Sequence, residues 1–518
     1  MAVNNKKKIL LIRPKNTFNY YNYPPLNLVC IGSVLESHGF KVKILDAGVL
    51  NDFNTDLERE MRDALFIAIG MITPEIPHGI DIMKLIRTKS NIPIVVGGWH
   101  CTLFPEQMAE SELTDYVVIG EGEDPVVDLA IRLSNGSRPS NKIRPRVYHD
   151  LNALPMPNYD LVPDIEHYIT NYLTDRLAAY VPQPIRWLPY DSSRGCPSQC
   201  AFCINVVAKN QKYRKKSANK VLDETDRLIK KYKLTHLKFI DDNYFVDIKR
   251  ARTIATGFIK RGQHKTVTYD CECRCDYFND RMLNDETLEL LRESGLVQLT
   301  LGIESGSMRT LKIMRKGITV EQAERAVQMC DRHGIIARSS FMFEVPGERR
   351  DDIVASIQFI NKMRKYPLFA CGVGSFRPYP RCDLTKKLIE KGYLSEPQSL
   401  EDWLHGENIE MYTSAELKRP WQVDPEFSEN AAHYLNLESE TRIGLHQLSN
   451  DGDREKLQLL IEIAKIRNRN LDYKEGNDTK LYKDFLRDYY QQKRSSDTHG
   501  EYPLSRKISE QFEGDTDG

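Results

Sequence analysis

The sequence predicts an α/β protein of two unlike parts: a doubly wound, flavodoxin-like domain over residues 1–145, then a partial (βα)6 barrel over 186–395. Three observations carry this. Short apolar runs alternate with amphipathic segments in two series, of five and then six units. A stretch with Pro at 155, 157, 163, 182 and 184 separates them. In the second series a cluster of unusual residues follows each run, where a parallel barrel gathers its loops on one rim. At 518 residues the chain is also too long for one core.

In the first series the runs are 9–12, 42–45, 65–69, 92–96 and 116–119, with helices expected at 26–37 and 77–88 between them. Apolar runs spaced by helices indicate a parallel sheet covered on both faces, with its ligand outside the carboxyl ends of the strands. Those ends carry Gly97-Gly98-Trp99-His100 and Gly120-Glu121-Gly122-Glu123. Glycines there either let backbone approach a ligand or make tight turns. Arg13-Pro14-Lys15-Asn16 stands after the first run in place of G-x-G-x-x-G, which disfavours a dinucleotide. Residues 146–185 read as a linker.

In the second series strands are expected at 187–192, 236–240, 267–271, 297–302, 337–343 and 369–376. Helices are expected at 218–231, 285–294, 320–333 and 352–365. Six units fall short of a closed eight-unit barrel. After the first strand comes Cys196-Pro-Ser-Gln-Cys200-Ala-Phe202-Cys203, and after the second Asp241-Asp242-Asn243. Arg274 and Asp276 close the third strand, and Glu304-Ser305 the fourth. Pro346-Gly347-Glu348 follow the fifth, and Arg377-Pro378-Tyr379-Pro380 the sixth. Alone, Asp241-Asp242-Asn243 reads as a helix N-cap.

Three thiols without a fourth leave a zinc shell unfilled, and the x3–x2 spacing differs from zinc pairs. Thiolates equally suit an iron–sulfur cluster with one iron left open. Cys271, Cys273 and Cys275 alternate with Glu272 and Arg274; strand periodicity puts the thiols on one face, as packing if the charged pair faces the barrel interior.

The C-x3-C-x2-C motif with Phe202 before its last Cys resembles the signature of the radical S-adenosylmethionine (SAM) superfamily. The domain order is similar to its branch with an N-terminal cobalamin-binding domain. Residues 97–100, 115–123, 241–243, 302–306, 345–348 and 378–380 are similar to that branch as well. The resemblance implies that Cys196, Cys200 and Cys203 hold a 4Fe–4S cluster whose fourth iron chelates SAM, yielding a 5′-deoxyadenosyl radical. It implies SAM contacts from Phe202, Asp241, Asp242, Asn243, Glu304, Ser305, Pro346 and Gly347. Arg274 either pairs with the SAM carboxylate or makes a structural ion pair with Glu272 or Asp276. Cobalamin is expected against Gly97, Gly98, Gly120, Glu121, Gly122 and Glu123. No D-x-H-x-x-G occurs in residues 1–145, and His38, His78 and His100 lack that context. Cobalamin would then bind without a histidine ligand, bind weakly, or have been lost.

The activity this implies is methylation of an unactivated carbon of a small molecule through methylcobalamin. Ring closure or rearrangement with the same cofactors, and a non-catalytic cobalamin or redox sensor, are the alternatives. An electron donor such as flavodoxin or ferredoxin is implied. Lys+Arg and Asp+Glu are both 73, so nothing global points to nucleic acid. No stretch approaches a membrane span, and the apolar run after Lys6-Lys7-Lys8 is too short for a secretion signal. Eleven cysteines, few for the length and unevenly placed, fit reduced thiols in a cytoplasmic protein. Residues 396–493 are expected to form a helical extension, either over the barrel mouth or as a packing appendage, and 494–518 a disordered tail.

Overall fold

The computed structural model describes residues 7–16, 23–145, 150–170, 176–208, 212–413, 418–440, 445, 448 and 450–496. They fall into two compact units. The first takes in residues up to 167, the stretch 395–414 and the chain from 487 on; the second spans 168–394 and 415–486.

The first unit is built on six parallel strands: β1 (Lys8–Arg13), β2 (Lys41–Asp46), β3 (Ala64–Gly70), β4 (Ile94–Gly97), β5 (Tyr116–Val118) and β6 (Ile143–Arg144). Their order, β2-β1-β3-β4-β5-β6, is that of a doubly wound sheet. The Ile9-Leu10-Leu11-Ile12 run is fully buried, as a strand covered on both faces requires. The helix Leu26–Ser37 falls where the pattern put it. β6 is a sixth strand that five apolar runs did not foretell. It is two residues long, and its Arg144 is held by Asp128 rather than by apolar burial.

Trp403 completes this unit. It is fully buried, with its ring 4.8 Å from His100 and 5.3 Å from Phe104, and donates to Gln107 Oε1 at 3.1 Å. Gln107 returns a bond to Pro397 O at 2.7 Å. The expected extension 396–493 is therefore shared between the units, because its start carries the aromatic plug of the first.

The second unit holds β7 (Trp187–Tyr190), a short antiparallel hairpin of β8 (Ser193–Arg194) and β9 (Arg214–Lys215), then β10 (His236–Phe239), β11 (Thr268–Cys273), β12 (Leu296–Glu304), β13 (Ile336–Phe343) and β14 (Phe369–Ser375). Six of these form one parallel sheet in the order β14-β13-β12-β11-β10-β7. This is the partial barrel the pattern predicts. The helix Ile248–Lys260, absent from the expected elements, is capped by Asp247, which accepts from Arg250 N at 3.0 Å. Of Asp241-Asp242-Asn243, Asn243 stands at the N-cap position of the short 3-10 turn Tyr244–Val246, but its side chain makes no capping bond there.

β14 is an edge strand, and an edge needs partners for its backbone. The helix Pro425–Glu438 supplies one: the Asn436 amide accepts from Val373 N and donates to Val373 O, both at 2.8 Å. Glu344, at φ +59°, accepts from Asp424 N at 3.1 Å and Ser428 Oγ at 2.6 Å and ties that helix to the end of β13. Helices Asp451–Asn470 and Asn477–Ser496 follow, so helix continues past the expected start of the tail at 494. Residues 497–518 lie outside the described residues.

Candidate active site on the barrel rim

The cysteine loop leaves β7 and is clamped from several sides. Asp241, fully buried at the end of β10, accepts from Ser192 N and Ser192 Oγ, both at 2.8 Å, from Ser193 Oγ at 3.0 Å, and from Ser193 N. Asp242 accepts from Gly195 N at 2.7 Å and Asn205 Nδ2 at 2.8 Å, on either side of the cysteines. Gly195 sits at φ +88°, and a Cβ there would stand 2.2 Å from Lys212 O, so only glycine fits. Ala201, between the second and third cysteines, donates to Met314 O at 2.8 Å and accepts from Leu384 N at 3.0 Å.

Both oxygens of Asp241 are filled by donors of the loop, so its carboxylate holds Ser192 and Ser193 in place. Burial pushes its carboxyl up to about 6, against the pull of Arg250 and the Ser192 and Ser193 donors. Ser305 is likewise engaged within the protein: fully buried, it bonds Ser356 Oγ at 2.9 Å and accepts from Ser307 N at 3.1 Å within its own turn.

Cys196 and Cys203 are half-buried and Cys200 is buried. Burial pushes the Cys203 thiol up to about 11; its neighbours Cys200 and Cys196 raise it further, and Lys316 lowers it. Lys316, buried, donates to Glu304 Oε1 at 2.8 Å and lies 5.7 Å over the Phe202 ring. Arg274 donates to Asp276 Oδ1 and Lys316 O, both at 2.9 Å, and its Nη1 stands 4.0 Å from Cys200 Sγ. The Arg274–Asp276 ion pair is thus real, and the same guanidinium also faces the cysteine loop. Asn243 reaches Cys196 Sγ at 3.6 Å and Tyr277 Oη at 2.8 Å, while its own Oδ1 is buried without a partner. The Pro346–Gly347 turn is fixed by Gly347 at φ +90°, with Gly347 O accepting from Arg309 at 2.6 Å. Lys316, Tyr277 and Asn205 carry no motif of their own. Asn205 stands two residues after Cys203 in sequence, while only the folded barrel brings Lys316 and Tyr277 to the cysteines.

In the first unit, the two glycine loops stand at the carboxyl ends of the adjacent strands β4 and β5. Gly98 has φ +96°, and a Cβ there would sit 2.5 Å from Met71 O. Gly120, at φ +76°, donates to Thr102 Oγ1 at 2.9 Å. A Cβ on Gly122 would lie 2.8 Å from the Ile31 side chain. Gly97 has ordinary space, Glu121 is half-buried and Glu123 is buried. Gly98 is therefore demanded by its positive φ and by the Met71 backbone together, whereas at Gly122 the tip of the Ile31 side chain could give way.

Known families account for both units. A model of the radical SAM superfamily matches residues 190–360, and a B12-binding-domain model matches residues 19–130. The chain joins a B12-binding domain to a radical SAM domain. An uncharacterized methyltransferase of Pyrococcus horikoshii is 29% identical over 72% of this chain and 80% of its own length. The anaerobic magnesium-protoporphyrin IX monomethyl ester cyclase of Rubrivivax gelatinosus is 24% identical over 74% and 70%. Among solved structures, the cobalamin-dependent SAM radical enzyme OxsB, with aqua-cobalamin and SAM bound, superposes with a TM-score of 0.69. It is 17% identical over 94% of this chain and 76% of its own. TsrM of Kitasatospora setae, a radical SAM methyltransferase with cobalamin and a [4Fe-4S] cluster bound, gives 0.64 at 18% identity over 94% and 99%. At such identities these likenesses show the fold.

The radical SAM domain's donors suit a cluster better than a lone ion. Three thiols with two cations beside them are held on a loop whose backbone is pinned at Ser192, Ser193, Gly195 and Ala201. No group of three or more His, Cys, Asp or Glu among the described residues closes on a single metal ion. In a cluster each thiolate takes its own iron, so the sulfurs need not converge. The B12-binding domain offers glycine-lined strand ends and the exposed side chain of Ile72 beyond β3. His100 is fully enclosed; burial holds its ring down to about 3, and its Nε2 has no partner. It is thus closed off from any ligand at that edge. Among the described residues no helix is long and apolar enough to cross a membrane.

Proposed function

We propose that this chain is a C-methyltransferase that transfers a methyl group to an unactivated carbon of a small molecule. The observation that carries the proposal is the joining, in one chain, of a B12-binding domain to a clamped three-cysteine loop on a barrel rim. When bound, the cluster with SAM supplies radical initiation and cobalamin supplies methyl carriage.

The chain's own residues prepare that chemistry. Cys196, Cys200 and Cys203 hold the cluster, and Asp241 and Asp242 set the loop before any ligand arrives. Lys316 and Arg274 place two cations beside the thiols, where they would balance the negative charge of a thiolate-bound cluster. Phe202, Asp242, Asn243, Arg274, Glu304 and the Pro346–Gly347 turn remain as SAM contacts; Asp241 and Ser305 act behind them. The glycine loops at 97–98 and 120–123 edge the cobalamin site. An acidic one-electron donor of the flavodoxin or ferredoxin kind supplies electrons, in a reducing cytoplasm where the eleven cysteines stay free.

The test is turnover of the reconstituted protein on a metabolite extract with SAM labelled in its methyl group. A product heavier by one labelled methyl is expected, with S-adenosylhomocysteine formed alongside. Formation of 5′-deoxyadenosine with neither would overturn methylation.

A further inference from the structure

The barrel interior carries one carboxylate without a counter-ion. Inward positions follow from the register: Lys238 beside Asp270, and Glu272 beside Thr300, which pairs with Arg338. Two of the three carboxylates near this interior have their own lysine. Asp270 accepts from Lys238 at 2.7 Å and from His236 at 2.8 Å, and Glu304 accepts from Lys316 at 2.8 Å. Glu272 has neither a hydrogen bond nor an ion pair among the described residues. Arg338 stands two strands away and tempers its charge without closing on it. Burial pushes Glu272 up to about 7; Lys238 and Arg338 pull it down, while Asp270 and Glu304 raise it further.

The space above it is open. On β14, Gly372, opposite Ser340, and Gly374, opposite Met342, have nothing within 4 Å of where a Cβ would be. Neither has a positive φ, so backbone conformation does not require glycine there. Ser340 itself is exposed. Glu272 lies on β11 two residues before Arg274, which directly follows the strand, so it sits about 7 Å deeper, and Arg274 Nη1 stands 4.0 Å from Cys200 Sγ. A molecule entering from the rim would therefore present its reacting carbon near the cysteines and its far end to Glu272.

From this we infer that Glu272 anchors an amine on the substrate. An ammonium group supplies the missing counter-ion, whereas a hydrocarbon or carboxylate end would leave Glu272 desolvated and unpaired, which is costly. The inference rests on the catalytic reading for what happens at the other end of the molecule, but amine binding does not depend on methyl transfer.

The test is equilibrium binding to the full-length, cluster-reconstituted protein with three probes of equal length: hexylamine, hexanol and hexanoate. A charge-assisted hydrogen bond of this kind corresponds to roughly a tenfold to hundredfold preference. Hexylamine is expected to bind at least about tenfold tighter than either other probe, and E272Q should reduce the preference to within about twofold. G372L, which fills the open space without touching Glu272, should weaken all three probes. Binding of hexanol or hexanoate as tight as hexylamine, no binding of any probe, or an amine preference kept in E272Q would each overturn the anchor. Failure of methyl transfer with the amine preference intact would overturn the catalytic reading alone.

Discussion

Replacing Asp241 by alanine separates a positioning role from a ligand contact. Asp241→Ala removes the acceptor of two buried backbone N–H groups, Ser192 N and Ser193 N; the two serine hydroxyls can turn to other partners. Each orphaned buried N–H costs about 1–3 kcal/mol, so the loss is about 2–6 kcal/mol. Against a total stability of about 5–15 kcal/mol, that is a large fraction. Asp241→Asn keeps an oxygen for both N–H groups and loses only the charge-assisted part, so it should cost roughly half as much or less. The assay is chemical unfolding of the cluster-free protein, paired with iron bound per chain after reconstitution. The alanine variant should lose both stability and iron, and the asparagine variant should lie between it and the parent. If the alanine variant unfolds and binds iron like the parent but loses affinity for SAM, the positioning argument is wrong and Asp241 touches the ligand.

Other perturbations have expected outcomes of their own. K316Q strands Glu304 as a buried unpaired carboxylate and should cost about 3–5 kcal/mol, with E304Q added in the same chain recovering part of it; a double-mutant unfolding cycle measures the coupling. Glu348, buried and raised to about 8 from an ordinary 4.5, binds more protons folded than unfolded between those values. Stability contributed by this group therefore falls as pH rises from about 4.5 to 8, and E348Q should flatten that slope and be the more stable protein at pH 8 in thermal melts. W403A should cost about 3–5 kcal/mol and raise amide exchange around His100 and Phe104; unchanged exchange there would refute the plug. G98A, forced to a positive φ against Met71, should destabilise, whereas G372A, with open space, should leave thermal unfolding unchanged.

The strand–helix order was legible because parallel strands buried on both faces write themselves as apolar runs. The run at 9–12 and the helix at 26–37 needed nothing else. β6 was not legible, because two residues held partly by an Arg144–Asp128 pair leave no periodic signal. The helix at 248–260 was missed because Lys249, Arg250 and Arg252 mask its apolar face. At the site, the cysteine motif and the rim placement of Asp241, Arg274 and Glu304 could be read from position after a strand. Which of them faces a ligand could not. Asp241 and Ser305 look identical in sequence to ligand contacts, and only the partners Ser192, Ser193 and Ser356 show that their oxygens are already used. Lys316 is a lysine among many until β12 and its following turn fold it against Phe202. Glu272 was placed inward by alternation, but its missing counter-ion appears only once Lys238 is seen committed to Asp270.

The most direct test of the site is paramagnetic resonance of the anaerobically reconstituted, reduced protein with and without SAM. A cluster held by Cys196, Cys200 and Cys203 with one iron open predicts a cluster signal that changes on adding SAM and disappears when any one of the three cysteines is replaced by alanine. A signal unmoved by SAM, or one that survives loss of Cys196, Cys200 or Cys203, would contradict the account.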